Sequence, residues 1–216
     1  MHPLQAHILK HLTFTATARY AALKPAGIES NKFAYHLHRL DEESYLQKDY
    51  GGYRLTAKGK RYVDKLSLKT FYPRFQPKIV TLIICQNKAG QYLLYKRGHQ
   101  PFLGLYNFPY GKLHFGEKLQ QAAARELKEK GGLVARLRHC GNAYVIIREK
   151  GEVVSHMLCH IFLGSHPEGK LASPTEIGQC EWKKLEQMTR REIAPGFLAI
   201  YKLAQTKKDF FEEILI

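Results

Sequence analysis

The sequence predicts an α/β protein preceded by a small, mostly helical domain, and three features carry that expectation. Up to about residue 66 the apolar residues recur mostly at helical spacing, whereas from residue 77 they fall in short β-branched runs. Between the two, "LSLKTFYPRFQPK" (66–78) holds two prolines, as a domain boundary often does. Further on, a glycine-bearing loop at 109–116 leads into a run of strong helix formers, and strand-like runs follow it. A chain of 216 residues is long for one small domain and comfortable for two. The expected division is a first domain over 1–68, a linker over 69–76, an α/β domain over 77–205 and a C-terminal tail over 206–216.

In the first domain "LQAHILKHL" reads as an amphipathic helix and "TATARYAALK" as a second, stopped by Pro25. "SNKFAYHLHRLDEE" is a third, with Ser30 as its N-cap; Phe33, Leu37 and Leu40 recur at i, i+4 and i+7 and face a core. "YLQKDYGGYRLT" reads as a hairpin turning at Gly51 and Gly52, and "AKGKRYVDKL" as a closing helix. This helix-turn-helix followed by a glycine-tipped hairpin resembles the winged-helix family over residues 4–66. The resemblance implies a third helix in the DNA major groove and a hairpin against the backbone or minor groove. Carried onto this chain, it makes Asn31, Lys32, Tyr35, His38 and Arg39 groove contacts, and Lys48 and Arg54 contacts to phosphate. The same architecture also serves as a protein-protein module, and Asp41, Glu42 and Glu43 at the end of the third helix work against DNA.

Lysine and arginine number 34 against 19 acidic residues, a net charge of +15. No basic run is long enough to be a tail, so the charge belongs to folded surfaces and selects polyanionic partners. No apolar run approaches the roughly 20 residues of a membrane span, and "MHPLQAHILKHLTF" lacks a signal peptide's apolar core and cleavage site. A cytoplasmic location without a membrane partner is the expectation. The four cysteines, Cys85, Cys140, Cys159 and Cys180, form no CxxC pair and read as reduced core residues. "HMLCH" puts His156 and His160 on one strand face but about 13 Å apart, at about 3.3 Å per residue, too far to share a metal.

The chemistry gathers after residue 77. "KIVTLIIC" and "QYLLYKR" read as strands joined by "QNKAG", and "QQAAARELKEK" as a helix stopped by Gly131 and Gly132. On that helix Glu126, Glu129 and Lys130 lie at i, i+3 and i+4, on one face. Two carboxylates so placed hold a hard cation through oxygen. Here the sequence resembles the Nudix family, whose box is G-x5-E-x7-R-E-U-x-E-E-x-G-U. Gly111, Glu117, Arg125, Glu126, Leu127, Glu129, Gly132 and Leu133 match at strict spacing, eight of nine specified positions. The resemblance spans about residues 77–205 and implies an α/β/α sandwich with a mixed sheet. It also implies hydrolysis of a nucleoside diphosphate linked to another group, with Mg2+ or Mn2+ held by the box glutamates. In the matching positions Glu126 and Glu129 become metal ligands, Arg125 orients the cluster by pairing with Glu117, and Gly111 and Gly116 let the loop approach the helix.

Two positions depart from the box. Lys130 replaces the second glutamate of the paired carboxylates, and Tyr110 stands where the family usually has glycine. Reversing a charge about 4 Å from a metal is worth about 4 kcal/mol per unit interaction at an effective dielectric near 20. Three readings of Lys130 follow: an ordinary Glu126–Lys130 helix pair, an ammonium that replaces the metal and holds phosphate without cutting it, or a loss made good by Glu149, Glu152, Glu168, Glu176 or Glu181. At Tyr110, a need for positive φ would strain the residue; otherwise its ring lines the site. Two functions result. One is a Nudix hydrolase weakened by Lys130. The other is a DNA-binding regulator whose Nudix domain senses a nucleotide, similar in combination, though not in domain order, to the Nudix-related regulators of NAD metabolism. The implied partners are a nucleotide diphosphate-type small molecule, duplex DNA and, since both families often dimerise, a second copy of the chain.

Overall fold

The computed structural model describes all residues, 1–216, and the chain divides into two compact units, Met1–Phe75 and Gln76–Ile216. Residues 69–75, expected as linker, belong to the first unit: Arg74 N donates to Lys65 O at 3.2 Å, and Phe71 packs on that unit's core.

The first unit runs α1 (Pro3–Phe14), α2 (Tyr20–Leu23), α3 (Ser30–Glu42), β1 (Leu46–Asp49), β2 (Gly52–Leu55) and α4 (Ala57–Asp64). Pro3 opens α1 where its missing N–H costs nothing, and the His2 ring accepts from Leu4 N at 3.2 Å. Ile8, Leu9 and Leu12 of α1 meet Phe33, Leu37 and Leu40 of α3 over Leu23, Leu46 and Val63. Two expectations are corrected. The second helix is a single turn, because Ala18 is extended and exchanges backbone hydrogen bonds with Tyr53 of β2 (3.0 and 2.9 Å). Gly52 permits that approach, since a Cβ there would stand 2.4 Å from Ala18 O. And Ser30 is the first residue of α3, not its cap; Glu29 occupies the cap without a side-chain bond.

The second unit contains β3 (Lys78–Cys85), β4 (Tyr92–Arg97), β5 (Tyr106–Asn107), β6 (Tyr110–Lys112), α5 (Leu119–Gly131), β7 (Leu133–Glu149), β8 (Glu152–Gly169), β9 (Gly178–Lys183), α6 (Phe197–Thr206) and β10 (Phe210–Leu215). A mixed five-stranded sheet has the order β10-β7-β8-β3-β6, and a three-stranded sheet the order β5-β4-β9. Alternation along β3 sends its side chains into two cores. Val80, Leu82 and Ile84 join Phe197 and Ile200 of α6, while Ile83 and Cys85 join Ala123 and Leu127 of α5. Helices thus cover both faces of a mixed sheet. No helix is long and apolar enough to cross a membrane.

Residues 206–216, expected as a tail, include an edge strand. β10 pairs in parallel with β7 from Phe210↔Gly141 to Leu215↔Ile146. Phe210 is 7 % exposed and lies so close over Gly141 that a Cβ there would meet its ring at 2.5 Å. Truncating a buried phenylalanine typically costs about 3–5 kcal/mol. Phe210→Ala is therefore expected to destabilise the second unit by about that much. Urea unfolding read through Trp182, the one tryptophan and a residue of β9, measures it; a loss under about 1 kcal/mol would make β10 peripheral.

Candidate functional site

The site is built on α5 and the strand β6 that lies against it. Helix formers run from Leu119 to Gly131, and Gly132 ends the helix in the left-handed conformation (φ +72), where a Cβ would also strike Lys170 O at 2.3 Å. Ala122, Ala123 and Leu127 bury one stripe, and Glu126, 5 % exposed, is buried beside them.

A buried carboxylate must be compensated, and Glu126 is compensated on both oxygens. Arg125 Nη1 donates to its Oε1 at 2.7 Å, and Lys130 Nζ stands 3.0 Å from its Oε2. Arg125 is held in a fork by Glu117, Nε to Oε1 at 2.8 Å and Nη2 to Oε2 at 2.9 Å, and also reaches Glu129 Oε2 at 3.1 Å and Lys112 O at 3.1 Å. Glu117 in turn accepts from His114 N at 3.0 Å. These contacts hold the Glu117 carboxyl down at about 2, the Arg125 side-chain hydrogen bonds being the largest cause.

Gly111 and Gly116, paired in expectation, serve different ends. Gly111 is where the loop meets the helix: a Cβ there would lie 1.8 Å from the Glu126 carboxyl carbon. Gly116 has φ +83 and nothing within 4 Å of such a Cβ, so its turn conformation, not close approach, calls for glycine.

Tyr110 and Lys130 meet. Tyr110 lies on extended backbone in β6, opposite Leu82, without positive φ. Its carbonyl accepts from Lys130 Nζ and its hydroxyl from Arg97 Nη1. The Lys130 ammonium is 5.3 Å from the Tyr110 ring centroid and 5.2 Å from that of Tyr95. Lys130 is a positioned cation, not a loose surface lysine.

Around this cluster lies a cleft of about 380 Å³. Five cations line it (Lys78, Arg97, Lys112, Arg125, Lys130) against two glutamates, Glu126 and Glu129, with His99, His114, Ser155 and Met157 beside them. None of Glu149, Glu152, Glu168, Glu176 and Glu181 is in the lining, so none supplies a missing ligand; Glu181 is held elsewhere by Gln179 (2.6 Å), Lys183 (3.1 Å) and Tyr106 (3.2 Å). The divalent ion implied by the box fits this donor set poorly. Both Glu126 oxygens are taken by cations, Lys130 fills the third position, and no group of three His, Cys, Asp or Glu side chains is arranged around a metal.

Sequence reasoning did not single out Lys78, Arg97, Lys112, His99 or Ser155. Strand alternation was the available signal: Lys78 shares a face with Val80, and Lys112 pairs with Val80 across β3 and β6.

The Glu117–Arg125 fork makes a pH prediction. A carboxyl depressed from about 4.5 to about 2 stabilises the fold above the higher value, and the contribution is lost as pH falls through the lower one. Glu117→Gln is expected to lower the thermal midpoint of the second unit at pH 7, with the gap to wild type closing between about pH 4.5 and 2. A gap that stayed constant over that range would exclude the fork as its source.

The NUDIX domain family model matches residues 76–204. The chain is similar to an ADP-ribose pyrophosphatase from Methanocaldococcus jannaschii, 25% identical over 142 residues, covering 64% of this chain and 82% of that protein. It is also similar to the NAD-capped RNA hydrolase NudC from Edwardsiella ictaluri, 28% identical over 117 residues, 53% of this chain and 43% of that one. Among solved structures, a MutT protein from Bacillus halodurans shares the fold, with a TM-score of 0.53 at 24% identity over 64% of this chain and 89% of that one. The family match spans more than half of the sequence, and its box lies on the loop and helix that build the cleft; the chain belongs to the NUDIX domain family.

Proposed function

We propose that the cleft binds the diphosphate of a nucleoside diphosphate linked to a second group, and that hydrolysis there is slow. The observation that carries this is Lys130. Its ammonium is held by Glu126 and the Tyr110 carbonyl, which uses two of its three N–H donors and leaves one for a phosphate oxygen. It supplies in part the positive charge that a family member draws from Mg2+ or Mn2+. With both oxygens accepting from cations, Glu126 offers neither a metal ligand nor a free base to attacking water. The names of two relatives, an ADP-ribose pyrophosphatase and an NAD-capped RNA hydrolase, support a ligand in which a diphosphate joins a nucleoside to something else.

The test is ADP-ribose with wild type and Lys130→Glu. Wild type is expected to bind it in EDTA by calorimetry and to turn it over slowly with Mg2+. Lys130→Glu is expected to raise Mg2+-dependent hydrolysis at least about tenfold, a change of about 1.4 kcal/mol in barrier. Wild-type turnover at ordinary enzyme rates, about 1 per second or faster, would defeat this reading of Lys130.

A second reading concerns residues 1–75, as a winged-helix unit that binds duplex DNA. It is favoured by the exposed face of α3, which presents Asn31, Lys32, Tyr35, His38 and Arg39. Three of the proposed contacts already have acidic partners: Arg39 has Glu42 (3.5 Å) and Glu43 (3.1 Å), Arg54 has Asp49 (3.0 Å), and His38 has Glu42 (3.4 Å). Lys48 is exposed near the Tyr53 ring. DNA would have to compete for the two arginines, so Lys32 and Lys48 carry the more available charge. The full chain is expected to shift a duplex at low salt, and Lys32→Ala with Lys48→Ala to flatten the salt dependence by about two units of slope. Absence of a shift at low salt, or an unchanged slope, would remove DNA binding.

A further inference from the structure

The cleft is electrostatically two-sided. On the α5 side Glu117, Glu126 and Glu129 each have Arg125 or Lys130 within 3.1 Å. The other side carries Lys78 of β3, Arg97 of β4 and Lys112 of β6, and none of these three has a carboxylate partner. Arg97 donates to uncharged groups: the Tyr110 hydroxyl, the His99 carbonyl at 3.0 Å and the Gln100 carbonyl at 3.3 Å. Lys78 is surrounded by like charge, and its ammonium is drawn below the usual value by burial, then by Lys112 and Arg97.

Strand pairing imposes this gathering. Val80 pairs with Lys112, so Lys78, two residues earlier on the same face, is the diagonal neighbour of Lys112 at about 7–8 Å. Two lysine stems starting that far apart can converge on one phosphate. Arg97, anchored by the Tyr110 hydroxyl and by His99 and Gln100, comes from the second sheet. Ser155, 4 % exposed, adds a buried hydroxyl two residues before Met157, the β8 partner of Lys78. Three uncompensated cations repel one another, and an anion among them relieves that repulsion.

We infer that Lys78, Arg97 and Lys112 form a second anion subsite, which takes a phosphate beyond the diphosphate, so that the cleft prefers ligands with three phosphates. The inference rests on the diphosphate reading above. Lys130 is already paired with Glu126, so the three cations of this wall are the charge that a further phosphate would meet. The extra phosphate can sit on a ribose or at the end of a linear triphosphate; the shared chemistry is a terminal phosphate monoester or anhydride.

The experiment is calorimetry on the full chain in EDTA with two matched pairs: ATP against ADP, and 2′-phosphorylated ADP-ribose against ADP-ribose. In wild type, at least one three-phosphate ligand is expected to bind tenfold or more tightly than its partner, and the pair that shows the gain identifies where the phosphate sits. Lys78→Met with Lys112→Met is expected to reduce that ratio to about twofold, each single variant lying between. Equal affinities within both pairs, or an unchanged ratio in the double variant, would overturn the subsite. A separate arm titrates inorganic phosphate and follows the amide signals of Gly111 and Ser155, lining residues that both proteins keep, expected to saturate in wild type and to stay still in the double variant. Saturation there by phosphate without binding of any nucleotide would defeat the diphosphate reading and leave the subsite standing. Phosphate shifts that survive both substitutions would do the reverse.

Discussion

The second unit depends on how one buried carboxylate is neutralised. Glu126 lies at 5 % exposure, and an unpaired charge in that position would cost several kcal/mol. Arg125 and Lys130 each take one of its oxygens, and Gly111 leaves the space in which the carboxylate sits. Arg125 could not serve as a fixed partner by itself. Its guanidinium is oriented by the two oxygens of Glu117, and Glu117 is oriented by the backbone of the loop after β6. Loop, helix and strand are therefore clamped through a single guanidinium, which itself lines the cleft.

The two departures from the box belong to the same arrangement. A tyrosine at 110 contributes its carbonyl to Lys130 and its hydroxyl to Arg97, so one residue ties the cation of α5 to the cation of β4. Its ring, together with that of Tyr95, gives the Lys130 ammonium an aromatic surface at a little over 5 Å. Glycine at position 110 would supply the carbonyl but neither the hydroxyl nor the ring. Read singly, each departure is an anomaly; together they describe a cleft whose cations are placed by protein groups.

Much of this was legible in the sequence because local rules decide it. Helical periodicity puts Glu126 and Glu129 on one face, and the resemblance to the box implies the pairing of Arg125 with Glu117. The strand runs and the hairpin at Gly51–Gly52 follow from period and turn chemistry. What escaped depends on pairing between distant segments. Nothing local says that residues 210–215 add to the edge of the sheet beside β7, because an amphipathic end reads equally well as tail or strand. Nor does a lysine at the head of a strand declare itself a site residue until the register of β3 against β6 puts Lys78 beside Lys112. The one-turn α2 was over-read for a related reason: the backbone bonds between Ala18 and Tyr53 outweigh the helical preference of the residues before it.

Lys130 also settles a conflict that the family's own pattern creates. Three carboxylates on one face at i, i+3 and i+4 repel, and a helix carrying them near its C-terminus also sets negative charge against the macrodipole. A divalent ion removes both penalties, at the cost of making the local structure depend on its presence. A lysine in the last turn removes them permanently: it pairs with Glu126 at i, i+4 and places positive charge where the dipole favours it, by about 0.3–1 kcal/mol. A glutamate at this position would add one more oxygen for a divalent ion, and the lysine adds none. A bound cation and a built-in ammonium are thus alternative ways of neutralising this helix face, and in this chain Lys130 supplies the second.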